Sequence, residues 1–173
     1  MHYVKSIGLN SNQQIGRGFN HPYDVTFSQN KRIYVLNRMY PQSTDGIRVQ
    51  ICDLDDEWYG EFGHGPGHAN DQFMVPVCIG FDSEERLFVT DESHHQIKIF
   101  DKEGKFLEAW GKGTPKLREL NGPSGICFDS TGNVLVAQQF EGNITKITSE
   151  GEALLQFGEH GSSQGQLNLP WGI

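Results

Sequence analysis

Short β-rich runs separated by turn residues recur along the whole chain. Runs such as IYVL from Ile33, LFVT from Leu87 and VLVA from Val134 have the β-branched and aromatic content that is typical of strands. The segments between them, for example DSTGN at 129–133, are rich in the Asp, Ser, Asn and Gly residues that favour tight hairpin turns. No window shows the sustained apolar period of an amphipathic helix. The pattern therefore predicts an all-β protein built from many short strands.

The same pattern repeats three times. If prolines at 22, 76, 123 and 170 are taken as origins, the spacings are 54, 47 and 47 residues. An apolar residue stands three positions before each proline, and a strand-like run begins eleven residues after each of the first three. The first repeat is longer because of an insertion near 38–46. Each repeat closes with an aromatic residue and a glycine, at Phe62-Gly63, Trp110-Gly111 and Phe157-Gly158.

Each repeat contains four strand-like runs, which is the make-up of one blade of a β-propeller. A blade buries both faces of its sheet against its neighbours, so its strands carry large apolar side chains on both faces. We predict an outer strand of a preceding blade, three complete four-stranded blades, and a linker with the inner strand of a following blade. The predicted boundaries are 1–8, 9–63, 64–111, 112–158 and 159–173.

Three motifs resemble the NHL repeat. They are GSSQGQLNLPWGI at 161–173, the strand motifs at 132–137 and 86–91, and QIKIFD at 96–101. The resemblance extends from residue 16 to residue 173. It implies an NHL-type β-propeller, usually of six blades, in which the first strand of each repeat lies nearest the central axis. The partial strands at both ends would then belong to blades that this chain does not complete.

The chain is short for a ring of that kind. Six blades at this repeat length need roughly 280 residues, whereas the chain has 173. An open arc would expose apolar blade faces and strand edges to water. We therefore expect either a fragment of a longer polypeptide or copies that join through their open edges. The fragment is the favoured interpretation, because two copies would add two incomplete blades to six complete ones.

The composition of the chain disfavours several classes of binding partner and cofactor. The formal net charge is −8, with 22 acidic and 14 basic residues, and this balance disfavours nucleic-acid binding. Three scattered cysteines provide neither a disulfide framework nor a CxxC zinc site. The first residues lack the pattern of a signal peptide, and no apolar run approaches the ~20 residues of a membrane helix. We expect a soluble, cytoplasmic protein that has no cofactor and binds neither nucleic acid nor membranes.

Propeller topology indicates where a ligand would bind. The loops between blades and the turn between the second and third strands of each blade open on one rim. By the resemblance, this rim and the axial positions just after the prolines are the expected binding surface. The rim comprises 10–21, 64–75, 112–122, 159–169 and the turns 38–46, 92–96 and 139–142. The axial residues are Tyr23, Val77, Ser124 and Trp171.

Further candidate residues lie on the same rim. The insertion offers Arg38, Tyr40 and Arg48, which are residue types enriched in recognition surfaces. His94 and His95 lie in the turn at 92–96. Rim histidines could in principle gather around a metal, but loops of different blades diverge, so no metal site is predicted. Asp53–Glu57 has alternating carboxylates of the kind that bind calcium, but it occupies a hairpin-turn position, and we predict a turn there.

Three equivalent strands end in a polar residue. These residues are Asn37, Asp91 and Gln138, and we predict that each caps the turn that follows it.

An enzymatic alternative rests on a narrower resemblance. Peptidyl-hydroxyglycine amidating lyases resemble NHL propellers and carry zinc-binding histidines directly after the strand-opening proline. The residues at those positions here are the four axial residues, and none of them binds zinc as imidazole does. We therefore predict no catalytic residues, and a non-enzymatic scaffold that recognises a protein or a small molecule. The alternatives are part of a lactonase- or lyase-type enzyme whose axial metal site lies mostly outside this segment, and an RNA-binding domain.

Overall fold

Three separate four-stranded sheets make up the chain. The computed structural model describes residues 4–10, 15–38 and 46–173. The first sheet contains β1 (Pro22–Phe27), β2 (Ile33–Asn37), β3 (Arg48–Cys52) and β4 (Trp58–Phe62). The second contains β5 (Pro76–Phe81), β6 (Leu87–Asp91), β7 (Gln96–Phe100) and β8 (Phe106–Gly111). The third contains β9 (Pro123–Phe128), β10 (Val134–Gln138), β11 (Asn143–Ile147) and β12 (Ala153–Phe157).

The strands of each sheet follow one another in chain order and pair antiparallel. We call the sheets the first, second and third blades. The first strands of neighbouring blades lie side by side, β1 beside β5 and β5 beside β9. The described residues form no helix, so this part of the chain offers no helical segment that could span a membrane. The structure confirms the all-β prediction with three complete four-stranded blades.

The first and second blades pack face to face. Tyr34 and Leu36 of β2 are fully buried against Leu87 and Val89 of β6. Tyr34 also makes an edge-to-face contact with Phe81, with the ring centroids 4.8 Å apart. Adjacent residues of β2 point to opposite faces, so the two sides of this strand serve different interfaces.

The second and third blades pack in the same way. Phe88 of β6 is fully buried and lies 5.3 Å, centroid to centroid, from both Trp110 of its own blade and Phe128 of the next. Val134 and Val136 of β10 complete this apolar cluster. Each sheet therefore depends on the next one to cover its apolar face.

The other face of the first blade is covered by the segment that precedes it. Ile33 and Val35 of β2 form a small cluster with Cys52, and Ile7 and Phe19 pack against that cluster. The residues that precede the first blade therefore shield this face from water.

The expected partial strands differ in conformation from the prediction. Residues 4–8 and 168–173 are not strands, and residues 1–3 lie outside the described residues. A strand needs a hydrogen-bonded neighbour. Next to these segments, the described residues form only isolated bridges, from Asn10 to Phe19 and from His160 to Leu167.

The glycine that closes a repeat has a steric role. Gly63 has φ 75°, in the left-handed region that favours glycine, and a methyl group there would overlap the ring of Phe73. Gly8 has φ 84° and would clash in the same way with Phe19. The repeated pairing explains why an apolar residue recurs three positions before the proline.

Replacing Phe88 with alanine tests the packing between blades. The Phe88→Ala change removes a ring shared by two blades, and we expect the free energy of unfolding to fall by about 3–5 kcal/mol. Urea unfolding followed by tryptophan fluorescence measures this change. As a control, Leu154→Ala at a half-exposed site should change stability by no more than about 0.5 kcal/mol. A loss below about 1 kcal/mol for Phe88→Ala would contradict interblade packing as the source of stability.

Candidate functional site

The loops that lead into the blades are attached to buried polar side chains. Asn37 Oδ1 accepts a hydrogen bond from the backbone N–H of Asn20 at 2.9 Å. Gln138 Oε1 accepts one from the N–H of Asn121 at 2.8 Å. Both acceptors end the second strand of their blade and are at least 96% buried, since Asn37 is 0% and Gln138 4% exposed. The prediction that these residues cap the following turn therefore misplaces their main partner, which is the preceding loop.

Asp91 is the acidic member of this set. Its carboxylate accepts hydrogen bonds from the N–H groups of Met74 at 2.7 Å and Val75 at 3.1 Å. It also accepts the N–H of His94 at 3.1 Å, which is the turn cap that was predicted. Burial by itself would raise the pKa of Asp91, but His94 and the two loop N–H groups outweigh it and hold that pKa below its ordinary value.

A side chain from the third strand adds a second attachment in two of the blades. Gln50 Nε2 donates to the carbonyl oxygen of Gly16 at 2.6 Å. Lys98 Nζ donates to the carbonyl oxygens of Ala69, at 3.0 Å, and Gln72. Burial lowers the pKa of Lys98, and Asp91 and Asp71 partly offset this effect. The loops that form the rim are thus bound from beneath by charged and amide groups.

The third blade has a cavity where the others have this attachment. Its volume is about 510 Å³, and it lies between the loop at 117–120, the turn at 138–141 and β12. This volume is in the range of small-molecule sites. The lining residues are Leu117, Arg118, Glu119, Leu120, Gln138, Glu141, Thr145, Ala153 and Gln156.

The predicted rim histidines have different surroundings. His94 Nδ1 lies 2.9 Å from Asp91 Oδ2, and His94 Nε2 lies 3.2 Å from Nδ1 of the exposed His68. His95 Nδ1 accepts the N–H of Gly122 at 3.0 Å, so His95 links the second blade to the loop that enters the third. His94 and His68 are therefore the histidine pair that the rim presents, while His95 is a structural contact.

The two arginines of the insertion are buried. Arg48 is 0% exposed, its Nε lies 2.9 Å from Glu61 Oε2, and its guanidinium donates to the carbonyl oxygen of Gly18 at 2.9 Å. Arg38 is 6% exposed and stacks over the Tyr23 ring, with the guanidinium carbon 4.1 Å from the ring centroid. Both hold local structure in place. Tyr40 lies outside the described residues.

The four axial residues divide into two kinds. Tyr23 is 39% and Trp171 42% exposed, so both can contact a ligand. Val77 and Ser124 are buried, and Ser124 Oγ donates to the carbonyl oxygen of Pro170 at 2.9 Å. These two residues pack the inner strands and do not line an open surface.

None of the cysteines is activated for chemistry. Burial, together with a hydrogen bond to Asp24, raises the pKa of Cys78 to about 12. Burial also raises the pKa of Cys52 and Cys127. Among residues 4–10, 15–38 and 46–173, no three side chains are grouped so that they could hold a metal ion. Asp53 accepts the N–H groups of Asp55 and Glu57, which confirms that this acidic run is a hairpin turn.

Sequence comparison places these repeats among known proteins. Human NHL repeat-containing protein 3 is 25% identical over 136 residues, which cover 75% of this chain and 35% of that protein. The Drosophila melanogaster protein brain tumor is 28% identical over 102 residues, which cover 58% of this chain and 10% of that protein. Both matches are to NHL-repeat proteins, and they support the NHL-repeat resemblance of this chain. No family model matches it.

Solved structures agree with a β-propeller fold. A catalytically inactive virginiamycin B lyase from Staphylococcus aureus with quinupristin superposes with a TM-score of 0.64 at 18% identity, covering 95% of this chain and 47% of that one. A streptogramin B lyase gives a TM-score of 0.65 at 17% identity, covering 96% of this chain and 47% of that one. At such identity the likeness shows the β-propeller fold alone. This chain spans about a third of the human relative and about half of these lyases.

Sequence reasoning missed several side-chain contacts of the loop rim. His94 contacts His68 in another loop, and the sequence pattern does not show that these two loops lie close together. The sequence did contain a signal for Gln50, Lys98 and Thr145. These residues occupy the same position of the third strand in the three repeats. A comparison of that position across the repeats would have singled out the third blade.

Substitution of Asp91 tests how the rim is attached. In the Asp91→Asn variant the loop N–H groups lose a charged acceptor, and we expect stability at pH 7 to fall by about 2–3 kcal/mol. Because the folded-state pKa of Asp91 is lowered, its contribution is present above about pH 4 and is lost as pH falls through the folded-state value. Urea unfolding at pH 7, 5 and 3 should show that the stability difference between the two proteins is smallest at the lowest pH.

The matched control for that series is Glu103→Gln, at an exposed turn on the other rim. It should leave stability within about 0.5 kcal/mol at every pH. A difference between Asp91→Asn and the unsubstituted protein that stays constant across the series would contradict a carboxylate-specific role.

Proposed function

We propose that this NHL-repeat segment is a non-enzymatic recognition scaffold that binds a protein or a small molecule on its loop rim. The observation that carries the proposal is the attachment of the rim loops to buried polar groups. Residues 20, 74–75 and 121 are each held by the polar residue that ends a second strand. A loop held before binding loses less conformational entropy when a ligand arrives.

The rim also presents the mixture of side chains that recognition uses. Phe140 is 46% exposed and lies beside the loop that enters the third blade, where its ring contacts His95. Arg118, Glu119 and Glu141 are exposed around the cavity of about 510 Å³. Aromatic and charged groups around a concavity supply apolar contact and orientation together. Tyr23 and Trp171 extend this surface toward the axis.

The opposite rim is built differently. In several of its short hairpin turns an Asp accepts the N–H groups of its own turn, as Asp101 and Asp129 do. The carboxylates there are used within the turn. This contrast supports the loop rim as the binding surface, and the acidic balance of the chain supports a partner other than nucleic acid. We extend the proposal to a ligand met in the cytoplasm and away from membranes.

Amide NMR spectra tested against a library of small-molecule fragments and short peptides will locate the binding surface. We expect the compounds that bind to shift amide signals at 64–75, 92–96, 112–122 and 139–142, because these segments form the rim. Signals at 101–105 and 129–133, on the opposite rim, should stay unchanged. Binders that consistently shift the opposite rim, or a library without a single rim binder, would contradict the proposal.

Two substitutions at equally exposed sites sharpen this test. Phe140 on the rim and Leu107 on β8 are both 46% exposed. Phe140→Ala should weaken rim binders by about fivefold to tenfold, since a half-buried aromatic contact contributes about 1–1.5 kcal/mol. Leu107→Ala should leave their affinity unchanged.

A further inference from the structure

One position of the third strand differs in kind among the three repeats. Gln50, Lys98 and Thr145 each stand in the middle of the third strand of their blade. Each faces the corresponding residue of the fourth strand, which is Glu61, Ala109 and Gln156, respectively. The register is therefore the same in all three blades, and the side chains can be compared directly.

In the second blade this position holds a buried ammonium group. Lys98 is 2% exposed, and its Nζ donates to the carbonyl oxygens of Ala69 and Gln72 in the loop above it. Asp91 and Asp71 add negative potential that favours the charged form. The fold thus contains a complete ammonium site, built from loop carbonyls and nearby carboxylates, and fills it with its own lysine.

In the third blade the same position is too short to reach the loop. Thr145 Oγ1 accepts a hydrogen bond from Gln138 Nε2 at 2.7 Å and stays within the sheet. Thr145 is 6% exposed, so it forms the floor of the cavity of about 510 Å³. The cavity therefore occupies the place that a long third-strand side chain takes in the second blade.

The loop that lines the cavity in the third blade is equivalent to the loop that surrounds Lys98 Nζ in the second blade. Glu119 precedes Leu120 as Gln72 precedes Phe73, so the Glu119 backbone stands where the second blade offers a carbonyl to Lys98. Within the described chain, the Glu119 carbonyl oxygen accepts no hydrogen bond, whereas that of Gln72 accepts one from Lys98. An acceptor is thus left available to a ligand.

The charges around the cavity favour a cation. Glu119 and Glu141 both line it, and Asn121 Nδ2 donates to Glu141 Oε1 at 2.6 Å, which helps to fix that carboxylate. Arg118 is the cationic residue in the lining, and its Nε donates to the carbonyl oxygen of Thr114 at 3.2 Å. Two carboxylates against one guanidinium leave a net negative site in a chain of net charge −8.

We propose that the cavity of the third blade binds a primary ammonium group on a flexible alkyl chain, with that group in the place that Lys98 Nζ takes in the second blade. The cavity opens on the loop rim, and the inference rests on that rim being the binding surface proposed above. The ammonium comes from either a lysine side chain of a peptide or a free alkylamine. Both have the chemistry that the site recognises.

The test uses n-butylammonium, which reproduces the end of a lysine side chain, and n-butanol as its neutral match. Butylammonium should shift the amide signals of Glu119, Asn121 and Thr145 saturably in NMR titrations. Butanol at the same concentrations should not. Equal effects of both compounds would show an apolar cavity and overturn the proposal, as would an absence of saturable shifts at these residues.

Two reciprocal substitutions separate this site from a general effect of amines. Thr145→Lys supplies the third blade with its own ammonium and should weaken butylammonium binding by about tenfold or more. Lys98→Thr should open a second site, seen as new saturable shifts at Ala69 and Gln72. Thr145→Val keeps the cavity and should retain binding. Unchanged binding in Thr145→Lys would overturn the proposal.

Glu141→Gln provides an independent variant at an exposed position, so that folding is not at risk. It should weaken butylammonium binding severalfold and leave butanol unaffected. Equal butylammonium affinity in Glu141→Gln and the unsubstituted protein would contradict the electrostatic part of the proposal.

The two sources of the ammonium are distinguished with tripeptides. If Gly-Lys-Gly binds at least tenfold tighter than butylammonium and Gly-norleucine-Gly does not bind, the partner is a peptide. Equal affinity indicates a free amine. If other rim binders are found while butylammonium shifts nothing, this inference fails and the proposed recognition function stands.

Discussion

The structure depends on one repeated contact, in which a buried polar side chain at the end of a second strand holds the loop that leads into its blade. The three residues are Asn37, Asp91 and Gln138. A buried polar group without a partner is costly, so each contact is needed once the sheet has formed. Because the loop is fixed, the apolar residue before the proline enters the space between blades. The covalent order of the repeats thus becomes a spatial order of packed sheets.

The same contact explains why one rim can specialise while the scaffold stays constant. The second-strand residue accepts loop N–H groups, and in two blades the third-strand residue donates to loop carbonyls. The first contact is present in all three blades. The second varies from glutamine to lysine to threonine, and with it the space beneath the loop. A repeat protein of this kind can therefore acquire a pocket by shortening one side chain, because neighbouring blades keep the sheet in place.

Local pattern predicted the strands well and their partners poorly. The second strands begin at Ile33, Leu87 and Val134, as their β-rich runs indicated, because alternation and turn chemistry act over a few residues. The burial of Arg38 and Arg48 was not foreseen. An arginine in this segment could be exposed or buried as far as the sequence shows. The structure buries Arg48 and Arg38 because their guanidinium groups donate to the carbonyl oxygens of Gly18 and Pro76, respectively. Of the four axial residues, Tyr23 and Trp171 are exposed and Val77 and Ser124 are buried, a difference that their common position after the proline does not indicate.

Hydrogen exchange of backbone amides, followed by NMR, tests the loop attachment most directly. Met74, Val75 and Asn121 donate to buried side chains, whereas Glu103 and Thr131 donate to Asp side chains in exposed turns. All five amides have side-chain acceptors, so burial of the contact is the main difference between the two groups. If the loops are held as described, the first three amides exchange at least about a hundredfold more slowly than the other two. Equal exchange rates in the two groups would contradict a rim held by buried polar contacts.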